Sequence, residues 1–109
     1  MITAVFSKVG NETIGFDIKG HSGYAQAGQD IVCAAVSSAA YFTANLLEKM
    51  GAELITSVED GKMTVKVKNP TSETSLVLSH FEDHLKELKG QYPKYIRTAE
   101  IKIKAGGKM

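Results

Sequence analysis

The sequence predicts an α+β fold. We expect a two-layer sandwich: a mostly antiparallel five-stranded sheet with two helices, in the order β-β-α-β-β-α-β. Three observations predict it. Pairs of strand-type segments flank turn residues, two segments have helical spacing of their apolar residues, and a last segment alternates isoleucine with lysine. The chain has 109 residues, the length of one domain, so we treat 1–109 as a single domain with a flexible tail at about 105–109.

The first half is predicted to form a hairpin followed by a helix. Residues 2–8 and 13–19 are rich in β-branched and aromatic types, and the turn residues between them favour a hairpin. From Ile31 to about Met50 alanine recurs at helical spacing, and Gly51 is a natural stop. This helix is apolar on most of its circumference, so we expect the sheet on one side and a helix or a second subunit on the other.

The second half begins with another predicted hairpin. Residues 52–58 and 62–68 flank Asp60-Gly61, and an Asp-Gly pair between alternating segments is typical of a tight turn. Lysines follow on the second of these strands, and with a formal net charge of +1 we interpret them as a solvated face and not as an RNA-binding surface.

A second helix and a last strand complete the predicted order. Asn69 is the expected N-cap and Pro70 the first helical residue, because this pair is typical of a helix start. Gly90 and Pro93 are expected to end the helix, and residues 95–104 form the last strand.

Composition limits the possible partners and compartment. The near-neutral net charge argues against non-specific electrostatic binding of nucleic acid. The single cysteine is compatible with a reducing cytoplasm. The N-terminus lacks the pattern of a signal peptide, and we see no segment of membrane-spanning length. We therefore expect a cytoplasmic protein with no membrane partner.

The segment GHSGYAQAGQDIVCAAVSS carries the candidate chemistry. If Asp30 caps the first helix, Cys33 lies in the first turn, where free amides and the helix dipole stabilise a thiolate. The same amides can hold the oxyanion that forms when a thiolate attacks a carbonyl. The loop between them permits His21 to return to the helix start as a base. The alternative is that Cys33 is a buried, inert core residue.

Other residues of this segment have two interpretations each. Asp30 either caps the helix or orients His21, and Ser37, one turn after Cys33, either touches the substrate or packs. The loop 20–29 either closes over a peptide or is a slack surface connection, and Tyr24 either contacts substrate or anchors the loop. The loop residues that we assign to substrate binding are Gly20, Ser22, Gly23, Tyr24 and Gly28.

His80 and His84 lie one helical turn apart, a spacing that zinc ligands also use. We find no glutamate next to the first histidine and no obvious third ligand in the sequence. A structural or solvated role is favoured, and no metal or other cofactor is expected.

The motif resembles the signature of the ribosomal-processing cysteine proteases, the Prp family. The matching residues are Gly20-His21, Gly28, Asp30-Ile31-Val32-Cys33-Ala34 and Ser37. Ser22 departs from the pattern, since the family often has alanine there. The order of elements and the chain length also fit the family.

The resemblance implies a function. Members resemble one another in using the histidine and cysteine at these positions as a catalytic dyad. They remove a short N-terminal extension from a protein of the bacterial large ribosomal subunit and are similar in forming homodimers. By resemblance, His21 and Cys33 are the catalytic residues, and a dimer would cover the apolar first helix. The rival hypothesis is a non-catalytic, ribosome-associated binding module in which Cys33 is structural.

Overall fold

In the computed structural model, which describes residues 1–26 and 28–104, the predicted order of elements is confirmed. The elements are β1 (Ile2–Val9), β2 (Glu12–Lys19), α1 (Ile31–Lys49), β3 (Leu54–Glu59), β4 (Lys62–Val67), α2 (Ser72–Gln91) and β5 (Ile96–Lys102). The predicted flexible tail, 105–109, lies outside the described residues.

The five strands form a single mixed sheet with the order β3-β4-β2-β1-β5. The pairs β1–β2, β2–β4 and β3–β4 are antiparallel, and β5 runs parallel to β1. The sheet is therefore mostly antiparallel, as predicted. Because β4 pairs with β2 in space although α1 separates them in sequence, the β3–β4 turn lies next to the end of β2.

Both helices pack on one face of the sheet, which gives two layers. Alternate side chains of the strands point to that face and meet Val36 and Leu47 of α1 and Leu78 and Leu85 of α2. At the centre the rings of Phe6, Phe16 and Phe81 contact one another, with centroid separations of 4.9 to 6.1 Å.

The start of α2 differs from the prediction. Thr71, not Asn69, is the N-cap, and its hydroxyl accepts from the amide of Thr74 while the Thr74 hydroxyl accepts from the amide of Thr71. This reciprocal capping box satisfies two free amides, whereas an Asn69 cap before Pro70 would satisfy only one. The helix also continues through Gly90 to Gln91.

The prediction that no segment is long enough to span a membrane is wrong, because α1 has the necessary length. By length and composition alone, α1 passes the test for a membrane-spanning helix, the only helix to do so among the residues described. A core helix of a folded domain passes the same test, and α1 buries Val32, Val36, Ala40 and Leu47 in the core described above. Length and composition are therefore weak evidence here.

Candidate active site

Asp30 is the N-cap of α1. Its Oδ1 accepts from the backbone amides of Val32 and Cys33, at 3.0 and 2.9 Å. These bonds satisfy two of the amides that an α-helix leaves free at its start. Cys33 therefore lies in the first turn of the helix, as predicted.

The second carboxylate oxygen of Asp30 binds the loop that precedes the helix. Oδ2 accepts from the hydroxyl of Ser22 and, at 3.4 Å, from the amide of Ala25. The Ser22 hydroxyl, helped by the backbone amides, lowers the pKa of Asp30 from 3.8 to about 2, although its burial acts in the opposite direction. Of the two roles considered for Asp30, the cap is the observed one; none of its hydrogen bonds within the described residues goes to His21.

Three amides at the start of α1 are engaged, which changes one expectation. The sequence predicts that they, including that of Cys33, are ready donors for an oxyanion. The amides of Val32 and Cys33 instead donate to Asp30, and that of Ala34 donates to the Asp30 carbonyl. An oxyanion beside Cys33 needs another donor.

Cys33 is half-buried and packs against the core, but its sulfur is not sealed. The Sγ atom accepts a hydrogen bond from the backbone amide of Ser22 at 3.3 Å. Ser22 itself is buried, so this contact is made inside the loop.

His21 follows the end of β2 and reaches the same region. Gly20 has a φ of 91° and comes so close to the backbone of Met1 that a Cβ would lie 2.5 Å from the Met1 carbonyl oxygen. The chain turns there, and the His21 side chain is 69% exposed. Its Nε2 atom lies 4.0 Å from Oδ1 of Asp60, at the tip of the β3–β4 hairpin.

Two adjoining cavities meet at Cys33 and His21. One, of about 720 Å³, lies on the side of the loop and is also lined by Gly23 and Gly28. The other, of about 260 Å³, lies between α1 and the β3–β4 hairpin. Cys33, His21, Ser37 and Asp60 line both cavities. The structure thus brings the predicted histidine, cysteine and serine to one open cleft, which we call the Cys33 cleft.

The loop residues divide into two groups. Gly20, Gly23 and Gly28 line the Cys33 cleft, and the φ angles of the last two, 75° and 86°, favour glycine. Tyr24 does not line the cleft. Its ring packs edge-on against Tyr92 and Tyr95, at centroid distances of 5.7 and 5.2 Å, so Tyr24 anchors the loop to the end of α2. Of the two roles considered for Tyr24, this conformation shows the anchor, and substrate contact stays a prediction.

Asp60 is the residue of the cleft that sequence reasoning missed. The sequence predicts Asp60-Gly61 only as a hairpin turn, which it is. The second role of this turn, to place Asp60 beside His21, follows from the pairing of β4 with β2. A local pattern carries no signal for such a contact.

His80 and His84 lie away from the cleft. Both are on α2 and line a groove of about 900 Å³ between the two helices, together with Phe42, Leu46 and Leu76. Within residues 1–26 and 28–104, no three His, Cys, Asp or Glu side chains are grouped closely enough to hold a metal ion.

Comparison with known proteins identifies the family. The family profile described as cysteine protease Prp matches residues 1–97. The chain belongs to the Prp family of cysteine proteases. Among curated proteins, none matches.

Solved structures agree with the Prp assignment. The chain is similar to the essential ribosomal-processing protease Prp from S. aureus in complex with a covalently linked product peptide, with a TM-score of 0.87 and 21% identity over 93% of this chain and 100% of that one. A complex of S. aureus Prp with a substrate peptide gives 0.81 and 20% over the same shares. SMU.848 from Streptococcus mutans gives 0.77 and 25%, over 94% and 96%. This Prp-family chain is a cysteine protease, which removes the rival hypothesis of a non-catalytic binding module.

Proposed function

We propose that this cysteine protease is an endopeptidase that removes the N-terminal extension of a bacterial large-subunit ribosomal protein, with Cys33 as nucleophile and His21 as base. The observation that carries the proposal is the Cys33 cleft, in which a reachable sulfur and a histidine line the same two cavities. The substrate class is supported by the family and by the ribosomal-processing role of the S. aureus protease, whose structure has been solved with a substrate peptide.

The proposed reaction has two stages. His21 takes the thiol proton, and the Sγ of Cys33 attacks the carbonyl carbon of the scissile peptide bond. The C–N bond then breaks, the proton passes from His21 to the leaving amine, and a thioester remains on Cys33. Water attacks the thioester while His21 accepts its proton, which releases the carboxylate product and restores the thiol.

The Ser22 amide is the donor that we assign to the oxyanion. It lies 3.3 Å from Sγ, whereas the amides of Val32 and Cys33 are engaged by Asp30. Once sulfur bonds to carbon, the oxyanion forms next to sulfur and within reach of this N–H. Ser37, Gly23 and Gly28 are proposed to contact the peptide, because they line the cleft on either side of Cys33.

Partners and compartment follow from this substrate. We propose that the protein acts in the cytoplasm, where ribosomal proteins are made, and that it binds neither nucleic acid nor membrane directly. We also propose a homodimer, formed through the α1–α2 groove. Phe42 and Leu76 are 70% and 68% exposed there, which is typical of an apolar surface covered by a partner.

A cleavage assay tests the proposed function. An extended large-subunit ribosomal protein is incubated with the wild type, Cys33→Ala, His21→Ala and the control His84→Ala, and the products are read by mass spectrometry. We expect each of the first two substitutions to lower the rate about 10³-fold or more. The control should cleave as the wild type does, because His84 lies outside the cleft. Equal cleavage by Cys33→Ala, or no cleavage by the wild type, would falsify the proposal.

A further inference from the structure

We infer that Asp60 is a positioning residue for His21. With a peptide in the Cys33 cleft, the Asp60 carboxylate accepts a hydrogen bond from Nε2–H of His21, which leaves Nδ1 as the nitrogen that takes the Cys33 proton. The inference deepens the proposed protease function and rests on it.

The distance between the two groups is the first observation. Nε2 of His21 lies 4.0 Å from Oδ1 of Asp60, and an N–H···O bond needs about 3 Å. Both side chains are largely exposed, so rotation of either one can close the gap of about 1 Å without a change of the backbone.

The hairpin tip is held beside His21 by the backbone. Pairing of β2 with β4 ends at Lys19↔Lys62, and the amide of Gly20 adds a bond of 2.8 Å to the carbonyl of Gly61. The residue before His21 is therefore tied to the residue after Asp60. A Cβ on Gly61 would lie 3.1 Å from Nε2 of His21, so the imidazole occupies the space that this glycine leaves open.

Asp60 is also the carboxylate best placed for this role among those near His21. Asp30 lines the cleft but is engaged by Ser22, Ala25 and the amides of α1. Glu59 and Lys62 flank the hairpin turn and, with the Cys33 thiol, line the smaller cavity. The amine of Met1 donates to the backbone carbonyl of His21, at 2.6 Å, and not to its ring.

A bound peptide would strengthen the interaction. In water an exposed ion pair of this kind contributes little, because solvent screens both charges. A peptide that fills the two cavities displaces that water, and the attraction between an imidazolium and a carboxylate then rises. A hydrogen bond at one ring nitrogen also decides which tautomer the neutral ring adopts, and so which nitrogen is free to act as base.

Kinetics provide the first test. We would measure kcat and KM on the extended ribosomal protein for the wild type, Asp60→Asn, Asp60→Ala, Asp60→Glu and the control Glu53→Gln. Asp60→Asn preserves the turn, because Asn-Gly forms the same type of hairpin. We expect the Asn and Ala variants to lose about tenfold in kcat with KM within about twofold, and Asp60→Glu to recover most of the loss. Glu53, which lies next to β3 at the far end of the hairpin, should have no effect.

A second test does not depend on cleavage. The ring ¹⁵N shifts of His21 are recorded in Cys33→Ala with the uncut extension peptide bound, with and without Asp60→Ala; His80 and His84 serve as internal references. We expect the Nε2–H tautomer to predominate with Asp60 present and a mixture of tautomers without it. Unchanged shifts, or wild-type kcat in Asp60→Ala, would overturn the role of Asp60. If the wild type failed to cleave, the proposed function would be wrong. The tautomer measured by NMR would then still decide whether Asp60 contacts His21.

Discussion

The backbone amide of Ser22 donates a hydrogen bond to the Sγ of Cys33, at a distance of 3.3 Å, while the Ser22 hydroxyl donates to the carboxylate of Asp30, which caps α1. One residue thus links the loop to both the proposed nucleophile and the start of its helix. The main-chain bond is available to any residue except proline, whereas the side-chain bond needs a hydroxyl.

Replacement of Ser22 by alanine should therefore preserve cleavage. The amide that contacts Cys33 remains, so we expect kcat/KM within about threefold of the wild type, well under the tenfold change that about 1.4 kcal/mol produces. The same peptide assay measures this. A loss as large as that of Cys33→Ala would show that the Ser22 hydroxyl, and not its amide, is the important group.

The stability of the protein should fall in acid because of Asp30. Its pKa in the folded protein is about 2, below the ordinary 3.8, so the folded state favours the charged form. The resulting stabilisation is present above about pH 4 and is lost as the pH falls towards about 2. Thermal unfolding between pH 2 and 6 should show a smaller loss of Tm in Asp30→Asn, which can still cap the helix but does not titrate.

Ser22→Ala gives an intermediate case for the same measurement. The Ser22 hydroxyl is the largest cause of the lowered pKa of Asp30, so its removal brings that pKa closer to the ordinary value. The acid loss of Tm should then lie between those of the wild type and Asp30→Asn. A loss in Asp30→Asn equal to that of the wild type would assign the acid sensitivity to other carboxylates.

Gly61→Ala should slow cleavage more than its effect on stability explains. The residue has a φ of 73°, and a new Cβ would press on Nε2 of His21 at 3.1 Å. Gly10→Ala is the matched control, because Gly10 has a φ of 60° and a Cβ added there would meet no atom within 4 Å. We expect both variants to lose about 1–2 kcal/mol of unfolding free energy, and only Gly61→Ala to lose about tenfold or more in kcat. Equal rates in the two variants would contradict a displaced His21.

Phe42→Glu should convert the proposed dimer to a monomer. Phe42 is 70% exposed in the α1–α2 groove and lies outside the core, so the fold should tolerate the change. A charge buried in an apolar interface without a partner is costly. Light scattering coupled to size exclusion gives the mass, with Ile55→Glu, on the exposed edge strand β3, as control. A wild-type monomer, or a dimer that persists in Phe42→Glu, would rule out this interface.

Local sequence patterns were sufficient for the elements and for the position of Cys33 in the first turn of α1. Alternating β-branched residues and Asp-Gly chemistry identify the strands and the second hairpin, because those preferences act between neighbours in the chain. The relation between Asp30 and Cys33 is also local, since an N-cap and the first helical turn are separated by only a few residues. The start of α2 was misplaced because three residues in succession, Asn69, Pro70 and Thr71, each favour a helix start.

Contacts between distant segments needed the tertiary structure. Regular alternation along β1 puts Lys8 on the same face of the sheet as Phe6, and the packing of α2 on that face brings the buried Glu82 to 2.7 Å from the Lys8 ammonium group. The pairing of β2 with β4 likewise brings Asp60 to His21. The sequence by itself determined the order of elements, Asp30 as a candidate cap of α1 and Cys33 as a candidate nucleophile, because each depends on neighbouring residues. Which carboxylate faces His21 depends on strand pairing across the whole sheet, so only the tertiary structure decided it.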